Sequence, residues 1–320
     1  MKAPISVCMI VKNEEKNLPH CLRSIRPYVE QIVIIDTGST DKTLKVAKQF
    51  TSDIYSYDDC NDANGNILSF SEARNASFQH ANCDWAMWLD ADDVVLNAEQ
   101  LPYLCRFNDS KSRAIYLTYN NCGQIAYRER IVSWPGDFFW HGDVHEVLLC
   151  RNDNVESTKN NTVKIVHTKK KVNSGSRNLR ILLNSYALYN KEPRTLFYLA
   201  LEYYNSKDYK NALRYFSEYL QVATWDEEIA FAHMYMSDCY LYSKEYFLAI
   251  SSAQLAIEVK DKWAECWLRL AKALTHLQMY DKAKDAAIQA KACPATDTML
   301  FKDSNIQLHV ESLLKTMKDN

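Results

Sequence analysis

Short apolar segments alternate with helical patterns over about the first ninety residues, and this alternation limits the fold more than any other feature of the chain. Three apolar runs have the length and composition of buried parallel strands, at residues 5–11, 32–35 and 85–89. Amphipathic helical patterns accompany them, at residues 18–25, 44–50 and 71–79. The order strand, helix, strand, helix, strand predicts an α/β fold with a largely parallel sheet.

Acidic residues follow two of these predicted strands. Asp36 ends the second strand, and Asp90 and Asp92 come directly after the third. In open parallel sheets, ligands bind beyond the carboxyl ends of the strands. Two carboxylates separated by one residue can both reach one hard cation, and a diphosphate can complete its coordination. The pattern therefore predicts a metal and phosphate site at this edge of the sheet.

From about residue 176 the pattern becomes helical throughout, and the sequence repeats itself. Ala212, Ala249 and Ala283 occupy equivalent positions, 37 and 34 residues apart. Each follows a small residue by twelve positions and precedes a further apolar residue by four; these are Ala200, Ser237, Ala271, Phe216, Ala253 and Ala287. The pattern resembles the tetratricopeptide repeat, a 34-residue helix-turn-helix unit, with Ala or Ser in place of the usual Gly. Three stacked units with a concave surface are expected, because one unit cannot bury its apolar face alone.

Charge and cysteine spacing limit the classes of function. The formal net charge is −2, without the basic excess of a protein that grips nucleic acid through phosphates, so a nucleic-acid acceptor is disfavoured though not excluded. The ten cysteines are scattered with no CxxC pair, which favours reduced, mostly buried thiols. The chain shows neither a signal-peptide pattern nor an apolar stretch of about 20 residues. We therefore expect a cytoplasmic protein without a transmembrane segment.

Four segments in the first 95 residues resemble, in order and spacing, the family 2 glycosyltransferases of the GT-A fold. They are residues 5–26 (containing VKNEE), 35–43 (IDTGSTDKT), 71–75 (SEARN) and 88–93 (WLDADD). Two later segments, 140–146 (WHGDVHE) and 165–167 (IVH), resemble a subgroup with C-terminal tetratricopeptide repeats. That subgroup includes the peptide S-glycosyltransferases that modify bacteriocins.

The resemblance implies two domains. Residues 1–172 would form an α/β GT-A domain, the Rossmann-like fold of nucleotide-diphospho-sugar transferases. Residues 173–320 would form an all-α tetratricopeptide-repeat domain. The lysine run 169–171 at the boundary is expected to be a solvated charge run, with a phosphate clamp or a mobile lid as alternatives.

The resemblance also implies which residues bind the donor. Val11, Glu14 and Asp36 would contact the nucleotide, Arg74 would neutralise its diphosphate, and Asp90 would contact the ribose or the metal. Three of these residues have a structural alternative. Asp36 could cap the turn that follows it, Glu14 could be a solvated loop residue, and Arg74 could be a surface residue in an ion pair.

The metal ligands implied by the resemblance are Asp90, Asp92 and His167, and the ion would be Mn²⁺ or Mg²⁺. A neutral imidazole suits Mn²⁺ beside two oxygen ligands, whereas a half-buried strand histidine is the structural alternative for His167. Asp93 is expected to cap the segment that follows it.

The segment at residues 140–146 would face the acceptor. Glu146 is the candidate general base and Asp143 the second candidate, while His145 would orient the carboxylate or the acceptor. Trp134 and Trp140 would either stack on a sugar or pack in the core.

Together these features predict a metal-dependent, inverting glycosyltransferase that moves a sugar from a nucleotide-sugar, a UDP-sugar by analogy, to a peptide or protein. Two alternatives stay open. One is the same chemistry on a glycan, a lipid-linked acceptor or modified DNA. The other is a non-enzymatic repeat scaffold with a degenerate transferase domain. The sequence leaves open a homodimer, the donor sugar and the acceptor atom.

Overall fold

The computed structural model describes residues 2–106, 111–121, 124–168, 175–189, 192–294 and 305–317. The chain divides into two compact units, Met1–Ser174 and Gly175–Asn320. The predicted boundary between residues 172 and 173 lies outside the described residues, and so do the lysines at 169–171.

An eight-stranded mixed sheet forms the centre of the N-terminal unit. Its strands are β1 (Ala3–Val11), β2 (Val29–Asp36), β3 (Ile54–Ser56), β4 (Trp85–Trp88), β5 (Asp93–Leu96), β6 (Arg113–Asn121), β7 (Gln124–Ser133) and β10 (Glu156–His167). They lie side by side in the order β3-β2-β1-β4-β7-β6-β10-β5. A separate antiparallel pair is formed by β8 (Phe138–His141) and β9 (Val147–Cys150).

The predicted strands and helices of the first ninety residues are present. The helices are α1 (Leu18–Ile25), α2 (Thr43–Ala47) and α3 (Phe70–Gln79), followed by the short α4 (Leu101–Leu104). Strand β1 is buried almost throughout because it lies in the middle of the sheet, where apolar side chains pack on both faces. This α/β unit and the helical unit that follows it in sequence confirm the predicted fold class.

The prediction of a largely parallel sheet is only partly confirmed, because parallel and antiparallel pairs occur together and β10 is also parallel to β6. Strands β3, β2, β1 and β4 are parallel neighbours. Strand β7 is antiparallel to both β4 and β6, and β5 is antiparallel to β10. The sheet changes from parallel to antiparallel pairing at β7, because β6 and β7 are consecutive strands that pair directly. An antiparallel pair needs no crossover helix.

Strand register brings the site residues to one edge of the sheet. Val11 at the end of β1 pairs with Asp36 at the end of β2. In the other half of the sheet, His167 at the end of β10 pairs with Asp93 at the start of β5. The turn between β4 and β5 carries Asp90 and Asp92. The strands therefore deliver these groups from distant parts of the sequence.

The C-terminal unit is all helical in its described residues. Its helices are α5 (Gly175–Tyr189), α6 (Pro193–Asn205), α7 (Tyr209–Leu220), α8 (Asp226–Tyr242), α9 (Tyr246–Val259), α10 (Ala264–His276), α11 (Tyr280–Ala292) and α12 (Ile306–Thr316). The three repeated alanines lie fully buried in α7, α9 and α11. The small residues twelve positions earlier lie in α6, α8 and α10, and the Ser237 hydroxyl donates a 2.8 Å hydrogen bond to the carbonyl of Ala249. The predicted helix-pair repeat is confirmed.

Each helix pair turns through one residue with left-handed backbone geometry. Lys207, Lys244 and Gln278 have φ angles of 63°, 64° and 58°, and they are spaced as the repeats are. Such residues commonly end a helix, and glycine is the usual choice because it has no Cβ to clash. No glycine pattern in the sequence marks these turns, because lysine or glutamine occupies the left-handed position.

The nine cysteines in the described residues are free thiols, and seven of them are buried. Burial raises the pKa of the Cys60 thiol to about 11.

Among the helices described, none combines the length and the apolar character required to cross a bilayer.

Candidate active site

The turn between β4 and β5 is closed by two reciprocal hydrogen bonds. The Asp93 amide donates to the Asp90 carbonyl at 3.0 Å, and the Asp90 amide donates to Asp93 Oδ2 at 3.2 Å. Asp93 is fully buried. The Asp93 carboxylate therefore caps the turn that precedes Asp93, whereas the sequence predicts that it caps the segment that follows. This geometry fixes the backbone that carries Asp92.

Two of the predicted metal ligands, Asp92 and His167, meet at the end of β10. His167 Nδ1 lies 3.5 Å from Asp92 Oδ1 and 3.1 Å from Asp93 Oδ1. One possible metal-ligand atom from each of these three residues lies within 4.8 Å of the other two. Among the described residues, this is the one cluster of three such side chains. The amide and hydroxyl of Thr168 both donate to the Asp92 carbonyl, at 2.9 and 2.8 Å. The hydrogen bond to Asp93 raises the pKa of His167 against the opposing effect of burial.

Asp90 lies apart from that group and faces Arg74. Arg74 Nη2 lies 2.8 Å from Asp90 Oδ1, and Arg74 Nε lies 2.7 Å from Glu146 Oε1. The guanidinium also lies against the rings of Trp88 and Trp140, 4.8 and 4.9 Å from their centroids. Burial opposes ionisation of Asp90, but the Arg74 guanidinium outweighs it and lowers the pKa of that carboxyl. Arg74 is buried, so the alternative of a surface helix arginine does not hold.

Helix α3 anchors the segment that carries the candidate base. It begins at the cap Ser69, whose hydroxyl accepts from the amide of Glu72. The Asn75 side chain exchanges two hydrogen bonds with the backbone of Trp140, at 2.8 and 2.9 Å. The amide of Phe70 donates to the carbonyl of Asp143 at 2.8 Å. The SEARN motif thus contributes Arg74 to the site and Asn75 to its support.

The three predicted catalytic residues follow β8 in a tight segment. Gly142 and His145 both have left-handed backbone geometry, with φ angles of 93° and 56°. Glu146 is mostly buried and contacts Arg74, as described above. Asp143 lies near Glu72, whose pKa is raised by burial and then by the Asp143 charge.

The two tryptophans suggested for sugar stacking pack in the core instead. The Trp140 ring meets Trp88 edge to face at 5.2 Å and is only 3% exposed. The Trp134 ring meets Phe78 edge to face at 5.4 Å, and its Nε1 donates to the carbonyl of Ala81 at 3.2 Å. Both rings are used for packing.

The residues predicted to bind the nucleotide lie at the neighbouring ends of β1 and β2. The Val11 carbonyl accepts from the Thr37 amide at 3.0 Å. Asp36 accepts from the Gly38 and Ser39 amides, which is the capping role that the sequence left open. Asp36 also lines a cavity of about 570 Å³. Glu14 Oε2 accepts a 2.7 Å hydrogen bond from the Asn17 side chain. These residues share one edge, but their donor contacts stay predictions.

Sequence patterns missed one charged residue of the site, Arg130 on β7. It is 1% exposed, and its Nη1 lies 2.9 Å from Asp93 Oδ2. Its guanidinium carbon lies 3.6 Å from the centroid of the Trp88 ring and 4.7 Å from that of Tyr119. Nothing in the neighbouring sequence separates this arginine from an ordinary strand residue. Only the folded sheet brings it to Asp93.

Known proteins resemble different parts of the chain. The glycosyltransferase SunS of Bacillus phage SPbeta, and its prophage-derived counterpart in Bacillus subtilis, are 24% identical over 213 residues, 62% of this chain and 49% of theirs. A TPR repeat-containing protein of Synechococcus elongatus is 36% identical over 94 residues, 29% of this chain and 22% of that protein. The chain thus spans about half the length, or less, of these curated relatives.

Among solved structures, MamA from Desulfovibrio magneticus is similar over 46% of this chain and 81% of that chain, with 17% identity and a TM-score of 0.36. The family comparison covers more of the sequence: residues 6–197 match the model named Glycosyl transferase family 2. This match includes the strand-end carboxylates, Arg74 and the segment of Glu146. The match covers more than half of the chain, and the chain therefore belongs to glycosyl transferase family 2.

Proposed function

We propose that the N-terminal unit transfers a sugar from a nucleoside-diphosphate sugar to an acceptor, with a divalent cation held by Asp92, Asp93 and His167. The observation that carries the proposal is the meeting of three donor atoms within 4.8 Å at the edge where the predicted nucleotide residues also lie. Family membership supports the reaction class. The proposal replaces Asp90 with Asp93 in the predicted ligand set, because Asp90 faces Arg74.

The donor set fits a small divalent cation. Ligands at adjacent positions of an octahedral ion lie about 3 Å apart when each bond is about 2.1 Å long. The distances of 3.1 and 3.5 Å from His167 Nδ1 to the two carboxylates are close to that value. Two oxygens with one imidazole suit Mn²⁺ well and Mg²⁺ less well. Such an ion would stabilise the negative charge that the leaving diphosphate develops.

We propose the same nucleotide-binding roles that the family resemblance implies. Val11, Glu14 and Asp36 bind the nucleotide beside the ends of β1 and β2. Arg74 neutralises the diphosphate in this proposal, and to do so it exchanges a contact with Asp90 or Glu146, because these two carboxylates compensate its charge in the structure. A uridine nucleotide is proposed by analogy with similar enzymes.

Glu146 is proposed as the general base of a single inverting displacement. The acceptor atom attacks the anomeric carbon, the bond from that carbon to the diphosphate oxygen breaks, and the acceptor proton passes to the carboxylate. Arg74 orients Glu146 through the contact at 2.7 Å. Asp143 is the second candidate, and His145 orients the acceptor.

A peptide or protein is proposed as the acceptor. Stacked helix pairs such as those of the C-terminal unit commonly present surfaces that bind extended peptides. The free, mostly buried thiols favour a reducing compartment, so we propose that the protein acts in the cytoplasm.

The first experiment measures nucleotide binding by calorimetry. UDP and GDP are titrated with Mn²⁺ or with EDTA into the wild type, Asp92→Ala and the control Asp84→Ala, which removes an exposed carboxylate just before β4. We expect Mn²⁺-dependent UDP binding that is weakened more than about 100-fold in Asp92→Ala and is unchanged in the control. Binding of neither nucleotide to the wild type would reject the transferase function and favour the scaffold alternative.

The acceptor is tested separately by mass spectrometry. The protein is incubated with UDP-sugars and with peptides that contain Cys, Ser, Thr or Asn. A hexose or N-acetylhexosamine mass added to a peptide, and absent with Asp92→Ala, supports a peptide acceptor. If UDP binds but no peptide gains mass, the result counts against a peptide acceptor and favours a glycan, a lipid-linked sugar or modified DNA.

A further inference from the structure

Arg130 reaches the candidate cation site through an irregularity in the sheet. Ile131 on β7 pairs with Ile115 on β6, but the next pair is Glu129 with Tyr116. Arg130 is therefore an extra residue on β7, with no partner of its own in this register. Bulges of this kind redirect a side chain and are common beside active sites. Here the bulge accompanies an arginine that lies inside the protein.

The contacts of Arg130 lead to the cation site through a single carboxylate. Arg130 Nη1 binds Asp93 Oδ2, while Oδ1 of the same carboxylate lies 3.1 Å from His167 Nδ1. The guanidinium itself lies over the Trp88 ring, 3.6 Å from its centroid. Arg130 and the Asp90 amide both bind Oδ2 of Asp93, so that Oδ1 is the oxygen that faces His167.

The same contacts are a poor way to stabilise a fold. A buried ion pair recovers its desolvation cost only when its remaining hydrogen bonds are made. Arg130 Nε is buried and has no hydrogen-bond partner among the described residues. A hydrophobic pair of similar volume would serve packing as well or better. Stability alone therefore does not explain why a positively charged, planar guanidinium occupies this position.

We propose that Arg130 is a positioning residue for the divalent cation. It holds the Asp93 carboxylate in the orientation that presents Oδ1 to the cation, and its charge offsets repulsion among Asp90, Asp92 and Asp93. The inference rests on the proposed cation site. Residues that orient metal ligands in this way commonly change metal affinity 10- to 100-fold when they are replaced.

The test compares Mn²⁺ binding to full-length variants by electron paramagnetic resonance. Arg130→Lys keeps the charge but loses the planar fork, and Arg130→Met loses both. Arg128→Met is the matched control, because Arg128 is 44% exposed on the same strand. We expect the dissociation constant to rise about 10-fold for Arg130→Lys and up to about 100-fold for Arg130→Met, with less than a twofold change for Arg128→Met. The spectrum of bound Mn²⁺ should also change in Arg130→Lys, which a role in folding alone would not cause.

The outcomes separate this inference from the proposed function. If wild type binds Mn²⁺ and Arg130→Lys binds it within twofold with an unchanged spectrum, the positioning role is rejected and the cation site remains. If wild type binds no Mn²⁺, the cation site itself is rejected, and the positioning role with it. Circular dichroism in EDTA establishes that each variant is folded. If Arg130→Met does not fold, Arg130→Lys decides the result.

Discussion

The two units of the protein treat buried charge differently. In the helical unit, Asp238 binds Arg269 at 2.9 Å, and Glu228 accepts a 3.0 Å hydrogen bond from the Tyr219 hydroxyl. The Arg269 charge compensates Asp238, whereas the neutral Tyr219 hydroxyl only partly offsets the burial of Glu228. At the edge of the N-terminal sheet, carboxylates accumulate around two arginines; they are Asp90, Asp92, Asp93 and Glu146, with Arg74 and Arg130.

The difference supports the end of the sheet as the proposed site of chemistry. One-to-one pairs are sufficient to let a charged group pack inside a helical bundle. An excess of carboxylates over cations, counted within the described residues, instead costs stability through repulsion unless another cation is bound. The sheet edge therefore carries repulsion among carboxylates that binding of a cation can relieve, whereas Asp238 and Glu228 of the helical unit each have a partner of their own.

The largest expected effect comes from removing one carboxylate of the sheet edge. Asp93→Ala leaves Arg130 buried without its anion, so we expect the N-terminal unit to lose about 3–5 kcal/mol of unfolding free energy. Asp238→Ala in the less deeply buried helical pair should cost only about 1.5 kcal/mol. Hydrogen exchange of the full chain, followed by mass spectrometry, measures each unit separately. Equal losses would contradict the distinction between the two kinds of buried charge.

A divalent cation should stabilise one unit selectively. Mn²⁺ at 100 times its dissociation constant adds about 2.7 kcal/mol to a unit that binds it only when folded. We expect slower exchange for amides of β4, β5 and β10, unchanged exchange for α6 to α11, and full reversal by EDTA. Equal protection of both units would indicate nonspecific binding, and it would remove the proposed link between the carboxylate excess and cation binding.

The parts of the fold that sequence could predict are those set by local patterns. Apolar runs identified β1, β2 and β4, and helical periodicity identified α1 to α3, because a buried strand or an amphipathic helix depends on residues close in sequence. Strands β6, β7 and β10 carry mixed polar and apolar residues and pair over long distances. No local pattern determines that pairing, so the mixed half of the sheet was not predicted.

The candidate site divides in the same way. Asp92 and His167 were predicted from motifs, and the structure brings them together. Asp93 was given a capping role, because sequence cannot tell which of three nearby aspartates turns inward. Arg130 was missed, since its position depends on a bulge in the pairing of β6 with β7. Motifs indicate residue types, but the partners of those residues follow from tertiary structure.

The close approach of helices in the repeats gives a third prediction. Ala271 is fully buried in α10, where the repeat requires a small side chain. Ala271→Leu should overpack the helical unit and cost about 1–3 kcal/mol. The exposed Ala292 at the end of α11 is the control, and Ala292→Leu should change stability by less than about 0.5 kcal/mol. If Ala271→Leu is neutral, the small residue is not what allows the helices to pack closely.

The smallest expected effect tests the helical unit by pH. Burial raises the pKa of Glu228 above its ordinary value of 4.5, and the hydrogen bond from Tyr219 only partly opposes this. The folded protein therefore binds the proton more tightly than the unfolded chain does. Glu228 contributes stability below pH 4.5 that is lost as the pH rises through the raised folded value. Glu228→Gln keeps a hydrogen-bond acceptor without the charge, so it should stabilise α7 and α8 by about 0.5–1 kcal/mol near pH 7.

The advantage of Glu228→Gln should disappear in acid, where the wild-type carboxyl is protonated as well. Urea unfolding of the full chain at pH 4 and pH 7, with hydrogen exchange at α7 and α8, measures both values. Loss of stability at pH 7 would mean that the Glu228 charge is favourable where it lies. The helical unit would then hold an ionised carboxylate as the sheet edge does, and the contrast between the units would rest on the number of carboxylates rather than on their state of charge.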